Sequence, residues 1–442
     1  MVTSVQARPG CRPSMSRRRC LSSVMGGCAA LLQGACERRR SGERPLRIWS
    51  HQGQESEQSA LETIVADFRV AEARERFSVE VSCFPDFQYL EKLSVAAAGH
   101  DLPDAFELDG PLVARFVDAG LLTPLEPFFS VKEQGDFLPT VLAQGSIEGR
   151  LYALAAFDSA AVVYFDRRAF ERAGVSAPDP SSGFSWAQLL EACERLVRAG
   201  IEPLSLHMNE SADEWFTYAF TPVIWSGGGR LVDTDGASIR GVLASDANVE
   251  SIRAWQQLFA RGFAAKDPID PDPFGNGKVA MDWSGHWMAR AHVARKGPAL
   301  GVMVLPHLGP RPVAPCGSYC WVISAQSAFP ERAALWLHWI TGSRTGIQEL
   351  VRANGAVPAR RSAFGLFPEY RELPYELFRY QLEHLARPRP RTPFYATLTQ
   401  RWAAALRDIA HGSEVTTRLA RAEEQIASVI ERRLGATQRS AG

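Results

Sequence analysis

Residues 149–166 read GRLYALAAFDSAAVVYFD, and the reading of this stretch decides the fold. It opens on Gly149, a turn residue. Tyr152, Ala153, Leu154, Ala155 and Ala156 then carry little bulk and present no helical face. Such a segment suits a chain crossing from one packed body to another. Phe157 and Asp158 put a ring and a charge where that crossing would face a gap. Residues 162–165 are β-branched and aromatic, the composition that begins a new sheet. An ordinary loop followed by a buried strand fits the same letters, so the flanks have to choose.

Upstream, strands and helices alternate. Residues 46–50 read as a short strand, and Ala60, Leu61, Ile64, Val65 and Phe68 recur at helical spacing across 58–73. Val79, Val81 and Cys83 alternate as a second strand. Asp86 caps a helix whose apolar face is Leu90, Leu93 and Ala97, and Gly99 ends it. Residues 105–108 give a third strand, and 112–119 a helix stopped by Gly120. This order implies right-handed βαβ units and a parallel sheet with helices on both faces. Ligands of such sheets lie beyond the carboxyl ends of the strands. His51, Gln52, Glu107 and Asp109 fall there.

Downstream the pattern restarts. Ser185 and Gln188 form a capping box ahead of a helix whose buried face is Leu189, Leu190, Cys193, Leu196 and Val197, with Gly200 at its end. Residues 202–206 read as a strand, and Ile252, Trp255 and Phe259 mark a helix ending at Gly262. The string 274–287, FGNGKVAMDWSGHW, runs from a turn through a strand to a helix start. Gly285 lets backbone approach something closely. Trp283 and Trp287 either stack along a site or pack in a core.

Composition bounds the rest. The chain has 442 residues, 46% of them apolar and 22% charged, with a formal net charge of zero. That is an ordinary globular composition, and the length favours two or three domains. Neutral charge advertises no nucleic-acid surface. No apolar run reaches the roughly 18 residues of a membrane span. No Cys/His spacing, HExxH or Gly-x-Ser-x-Gly occurs, so neither a metal nor a cofactor is expected, and no catalytic residue is assigned. Cys316 and Cys320 either bridge across a doubled-back loop or sit as small buried residues.

Residues 1–44 have the layout of an export signal and tether. A basic cluster, Arg17, Arg18 and Arg19, precedes a weakly apolar, Gly-rich run, and translation begins at Met1 or Met15. Ser16, Arg17, Arg18 and Leu21 resemble a twin-arginine signal. Residues 32–36, LQGAC, resemble a lipobox with Cys36 as the lipidated residue. The mature chain is then expected in the periplasm or at the cell surface.

The ordered pieces together resemble a known family. They are LPDA at 102–105 with Asp109, GLLTPL at 120–125, GRLYAL at 149–154 with Asp158, and YFD at 164–166. Ala173 and Gly174 ahead of Ser185 and Trp186, the 274–287 string, Leu305-Pro306, Gly317-Ser318 and NGAVP at 354–358 with Arg360 continue the series. This order is similar to the extracellular solute-binding proteins of ABC importers, the maltose-binding-like carbohydrate group. The resemblance implies an α/β, two-lobed periplasmic-binding-protein fold, each lobe a mixed sheet flanked by helices, joined by hinge crossings. It implies lobe one at 45–154 plus 304–343, and lobe two at 157–300 plus 346–442. It also implies a monomer that captures a carbohydrate between the lobes and delivers it to membrane permease subunits.

Sugars offer apolar C–H faces and a rim of hydroxyls, so rings and paired polar groups recognise them. Phe157, Trp225, Trp283, Trp287 and Tyr319 are the candidate rings. His51, Gln52, Glu107, Asp109, Asp158 and Arg360 are the candidate polar partners, with Gly317 and Ser318 beside them. Each acid also fits a helix cap or a surface ion pair, and Arg360 a solvated turn. A second reading keeps the fold and binds a glycerol-phosphate diester or polyol, using Gly317, Ser318, Tyr319 and Arg360. A third is an exported glycoside hydrolase working through Asp109 and Asp158.

Overall fold

The computed structural model describes residues 44–72, 77–233, 236 and 238–440, the side chains of 86, 87 and 434–440 excepted. The export signal, both candidate starts and Cys36 lie outside the described residues. Two mixed sheets organise the chain. In the first, β1 (Leu46–Gln52) runs parallel to β2 (Val79–Pro85) on one side and β3 (Ala105–Asp109) on the other. Strand Tyr319–Ile323 pairs antiparallel with β3, and Ala153–Leu154 pairs antiparallel with it in turn. The helices α1 (Glu55–Glu72) and α2 (Asp86–Ala98) join the parallel strands. Leu61, Ile64, Val65 and Phe68 on α1 are buried, as their spacing requires.

The second sheet has the order Leu300–Met303, Ala161–Asp166, Val279–Gly285, Glu202–Ser205. Ala161–Asp166 is antiparallel to both neighbours. Its first five residues are all buried, which is why 161–165 is a continuous run of apolar residues with no alternation. The chain leaves the first sheet after Leu154 and enters the second at Ala161. Between them Phe157–Asp158 pairs antiparallel with Val357–Pro358. It leaves the second sheet after Met303 and re-enters the first at Tyr319.

The apolar residues form two clusters, the first of which also takes in Val162, Tyr164, Val279 and Val302 from one face of the second sheet. The first gathers Ile48, Phe106, Leu154, Trp321 and Trp336, and the second Val163, Phe220, Trp255, Trp283 and Trp402. Ile347, Leu350 and Val351 belong to the cluster that holds Ile48 and Phe106, and their helix packs on α1; Leu377, Phe378 and Leu382 share that cluster, whereas 346–442 was expected with the second body. The reason is local. Ile347, Leu350 and Val351 form one face of the helix Gly346–Asn354, and that stripe has buried apolar surface to match on the first body. Side chains join the second core again from Tyr395 onward.

The capping box is formed: Gln188 N donates to Ser185 Oγ at 3.3 Å, and Ser185 N to Gln188 Oε1 at 2.8 Å. Leu189, Cys193 and Leu196 are buried behind it, but Val197 is 48% exposed, one position too far round the helix. Cys193, Cys316 and Cys320 are free and buried, so no bridge links the last two.

Ser185→Ala should cost about 1 kcal/mol of unfolding free energy, read from the urea midpoint, because the bond from Gln188 N to the Ser185 hydroxyl is lost. Val197→Ser should change that midpoint by less than about 0.5 kcal/mol. An equal loss in both would show that the cap is not what fixes this helix.

Candidate functional site

The carboxyl ends of β1 and β3 meet because the two strands are parallel neighbours. The His51 ring lies flat on Tyr319, with centroids 3.5 Å apart and planes 8° apart. Tyr319 reaches that spot because it stands opposite Asp109 in the ladder. Glu107, buried behind them, accepts from the Ser50 hydroxyl and from His51 N at 3.1 Å. His51 Nδ1 lies 2.8 Å from the same carboxylate oxygen. Glu107 therefore orients the imidazole from behind; it presents no carboxylate to a guest.

The facing wall comes from the start of the helix Asp213–Ser226 and from His286–Met288, which follows Val279–Gly285. Trp287 meets Trp215 edge to face at 6.2 Å and lies 6.0 Å from Tyr218. Gly285 is required here, since a Cβ would run into the Trp287 ring. His286 also lines the space. Its Nδ1 is buried with no hydrogen-bond partner among the described residues, and burial pushes its pKa down to about 3, so the ring stays neutral.

Arg389 closes the end. It donates to both oxygens of Asp109, at 2.6 and 2.8 Å, and to Glu214, which also accepts from the Tyr395 hydroxyl. A guanidinium fork suits this task because it satisfies a carboxylate through two parallel bonds. One side chain thus ties the end of β3 to the start of Asp213–Ser226. Gly317, at φ +141°, makes room for it: a Cβ there would strike the Arg389 guanidinium. Burial pushes the Glu214 carboxyl up to about 7; Arg389 opposes the rise and Asp109 adds to it.

Together these groups enclose a cleft of about 830 Å³. His51, Asp109, Phe157, Trp287, Gly317, Ser318 and Tyr319 line it, as the sequence led one to expect. The other named residues do not. Asp158 is fully buried, accepting from Gln144 at 3.1 Å, Ser159 N at 2.8 Å and Gly317 N at 2.9 Å, so it pins the crossing to the Gly317 loop. Burial raises its pKa. Trp283 is fully buried, packed on Phe220 in the second core. Arg360 donates to Thr341 O at 2.7 Å and lies over Phe137, closing the first core. Gln52 is exposed at the end of β1, outside the lining. Trp225 lies in the last turn of its helix, under Arg387, beside a second cavity.

Sequence reasoning missed Arg389, Glu214, Trp215, Tyr218, Tyr395 and His286. DEWFTY at 213–218, an acid-and-ring cluster at a helix start, was the available signal for three of them. Nothing in RPRPR at 387–391 marks its middle arginine as the buried one.

The family model for bacterial extracellular solute-binding proteins matches residues 52–346. The chain belongs to that family. A binding protein of Brucella abortus (strain 2308) is 23% identical over 199 residues, 43% of this chain and 46% of the relative, so the match spans about half of that relative's length. Among solved structures, the sugar-binding protein MalE from Xanthomonas citri superposes with a TM-score of 0.76 at 18% identity, covering 89% of this chain and 99% of that one. UgpB from Mycobacterium tuberculosis, in complex with glycerophosphocholine, gives a TM-score of 0.74 at 21% identity, over 89% and 100%. These likenesses establish the two-lobed α/β fold, with helices flanking each sheet.

Glu214 binds its proton more tightly folded than unfolded. Its contribution to stability is therefore complete below about 4.5 and is lost as pH rises towards about 7. Glu214→Gln should flatten the stability–pH curve across that interval, measured by urea unfolding at stepped pH. An unchanged slope would assign it to another group. Gly317→Ala should lower the melting temperature by crowding Arg389.

Proposed function

We propose that the chain is the substrate-binding component of an ABC transporter, capturing a carbohydrate in the cleft and delivering it to membrane permease subunits. One observation carries this reading: rings on both walls face a lining that also carries carboxylates. Tyr319 and Phe157 stand on one side, Trp215, Tyr218 and Trp287 on the other, and Glu57, Asp109 and Asp213 lie among them. Rings cover the C–H faces of a pyranose, and carboxylates accept from its hydroxyls. The similarity to a sugar-binding MalE supports the same choice. A glycerol-phosphate diester suits this cleft less well. Its phosphate would compete with Asp109 and Glu214 for Arg389 and meet the remaining carboxylates at short range.

In this reading lobe one comprises residues 45–154 and 304–343 together with 346–384, and lobe two 157–300 and 395–440. The crossings near 155–160 and 304–318 serve as the hinge. The solute touches both walls only when they are close, so its differential affinity drives closure. The closed form, acting as a monomer, then presents both lobes to the permease. His51, Asp109, Phe157, Trp287, Ser318 and Tyr319 act as solute contacts, with Trp215 and Tyr218 beside them. Gly317 positions Arg389. Lipidation of Cys36 would hold the exported chain at the membrane, and intact-mass measurement of the mature protein tests it.

Titration with a panel of maltooligosaccharides, other disaccharides and polyols should give saturable tryptophan-fluorescence changes for at least one sugar. Trp287→Ala should weaken that binding about 10- to 100-fold, while Trp283→Phe should act on stability instead. A flat response across the panel would reject the carbohydrate reading.

A further inference from the structure

A second cavity, of about 1410 Å³, adjoins the cleft, and Arg389, Ala396 and Thr397 line both spaces. Its charge is opposite. Six arginines and three carboxylates line it, and several of these charges are already committed. Arg389 is held by Asp109 and Glu214, Arg433 bonds Asp118, and Arg391 donates to the carbonyls of Ala143 and Ser146 at 2.7 and 2.8 Å. Arg230 and Arg387 are different. Among the described residues no carboxylate pairs with either.

The backbone holds these two in place. Asn248, fully buried, accepts from Arg230 N at 3.1 Å and donates to Arg230 O at 2.7 Å and to the carbonyls of Val242 and Leu243. Arg387 is fixed by the parallel pairing of Ala386–Pro388 with Ala314–Cys316. Its guanidinium lies over the Trp225 indole, 5.2 Å from the ring centre. Burial and the nearby charge of Arg230 both pull the Arg387 pKa down. The fold thus anchors the backbones of two exposed arginines near one another on a concave surface, one of them over an aromatic floor, and no described carboxylate pairs with either. A compact, multiply charged oxyanion would relieve that repulsion and accept from both guanidinium forks.

We propose that this second cavity binds a phosphate-class oxyanion, gripped by Arg230 and Arg387 above Trp225. The anion is either free phosphate or the phosphate end of an elongated solute whose neutral part fills the cleft. The sharing of Arg389, Ala396 and Thr397 by the two spaces allows the second arrangement.

The test is calorimetric titration of the full chain with inorganic phosphate, with a neutral disaccharide and with that disaccharide's phosphate ester. Phosphate should bind saturably, and Arg230→Gln/Arg387→Gln should weaken it at least about tenfold with the melting temperature and neutral-sugar binding kept. Trp225→Phe should remove the fluorescence response to phosphate. If the ester binds more tightly than phosphate, and Trp287→Ala weakens the ester alone, the anion is borne by the solute. If Trp287→Ala leaves the ester and phosphate equal, the site takes free anion. Absence of saturable phosphate binding, equal binding by the double variant, or binding of acidic peptides only would overturn the proposal. Because the phosphate arm contains no sugar, its failure is separate from failure of the carbohydrate reading.

Discussion

The arrangement of the site depends on one buried cation. Arg389 is 5% exposed, and it holds a carboxylate from the end of β3 and another from the start of Asp213–Ser226. A guanidinium removed from water is tolerable only with its charge matched and its forks filled. That requirement fixes the rest of the neighbourhood. Gly317 must lack a side chain, Asp109 must turn towards the arginine, and Glu214 must accept from Tyr395 as well. The same residue lines two adjoining spaces of contrasting charge, one carrying carboxylates and rings, the other arginines.

A second polar node supports the first. Asp158 gathers Gln144, Ser159 N and Gly317 N, while the Ser159 hydroxyl meets the Tyr218 hydroxyl at 3.0 Å and the Gly317 carbonyl. The crossing strand, the Gly317 loop and the helix carrying Trp215 are therefore linked through short polar bonds in a buried setting. Such bonds are strong because unmaking one strands a desolvated partner. Tyr218 is positioned by this node, and Trp287 by its contact with Gly285.

Much of the framework was legible in the letters. The β1, β2 and β3 strands, α1, the Ser185 cap and the new sheet at 161 follow from periodicity and capping chemistry, which act within a few residues. The site was legible only where strand ends carry it, as at His51, Asp109 and Tyr319. Trp283 misled because every residue of Val279–Gly285 is buried, so no alternation marks which side faces a gap. Asp158 and Arg360 misled because a charged side chain looks alike in sequence whether it meets a guest or closes a core. Arg389 lies 280 residues from its partner Asp109, and no local pattern encodes a contact of that span.

The four cysteines of the described body remain thiols, and three of them are buried. Among the described residues, the tertiary structure that surrounds the cleft is thus closed by packing, ion pairs and hydrogen bonds, with no disulfide. Among these described residues, no disulfide has to form to complete it, so no electron acceptor is consumed there. Whether the chain crosses a membrane threaded or already folded, the same set of contacts can be assembled on either side.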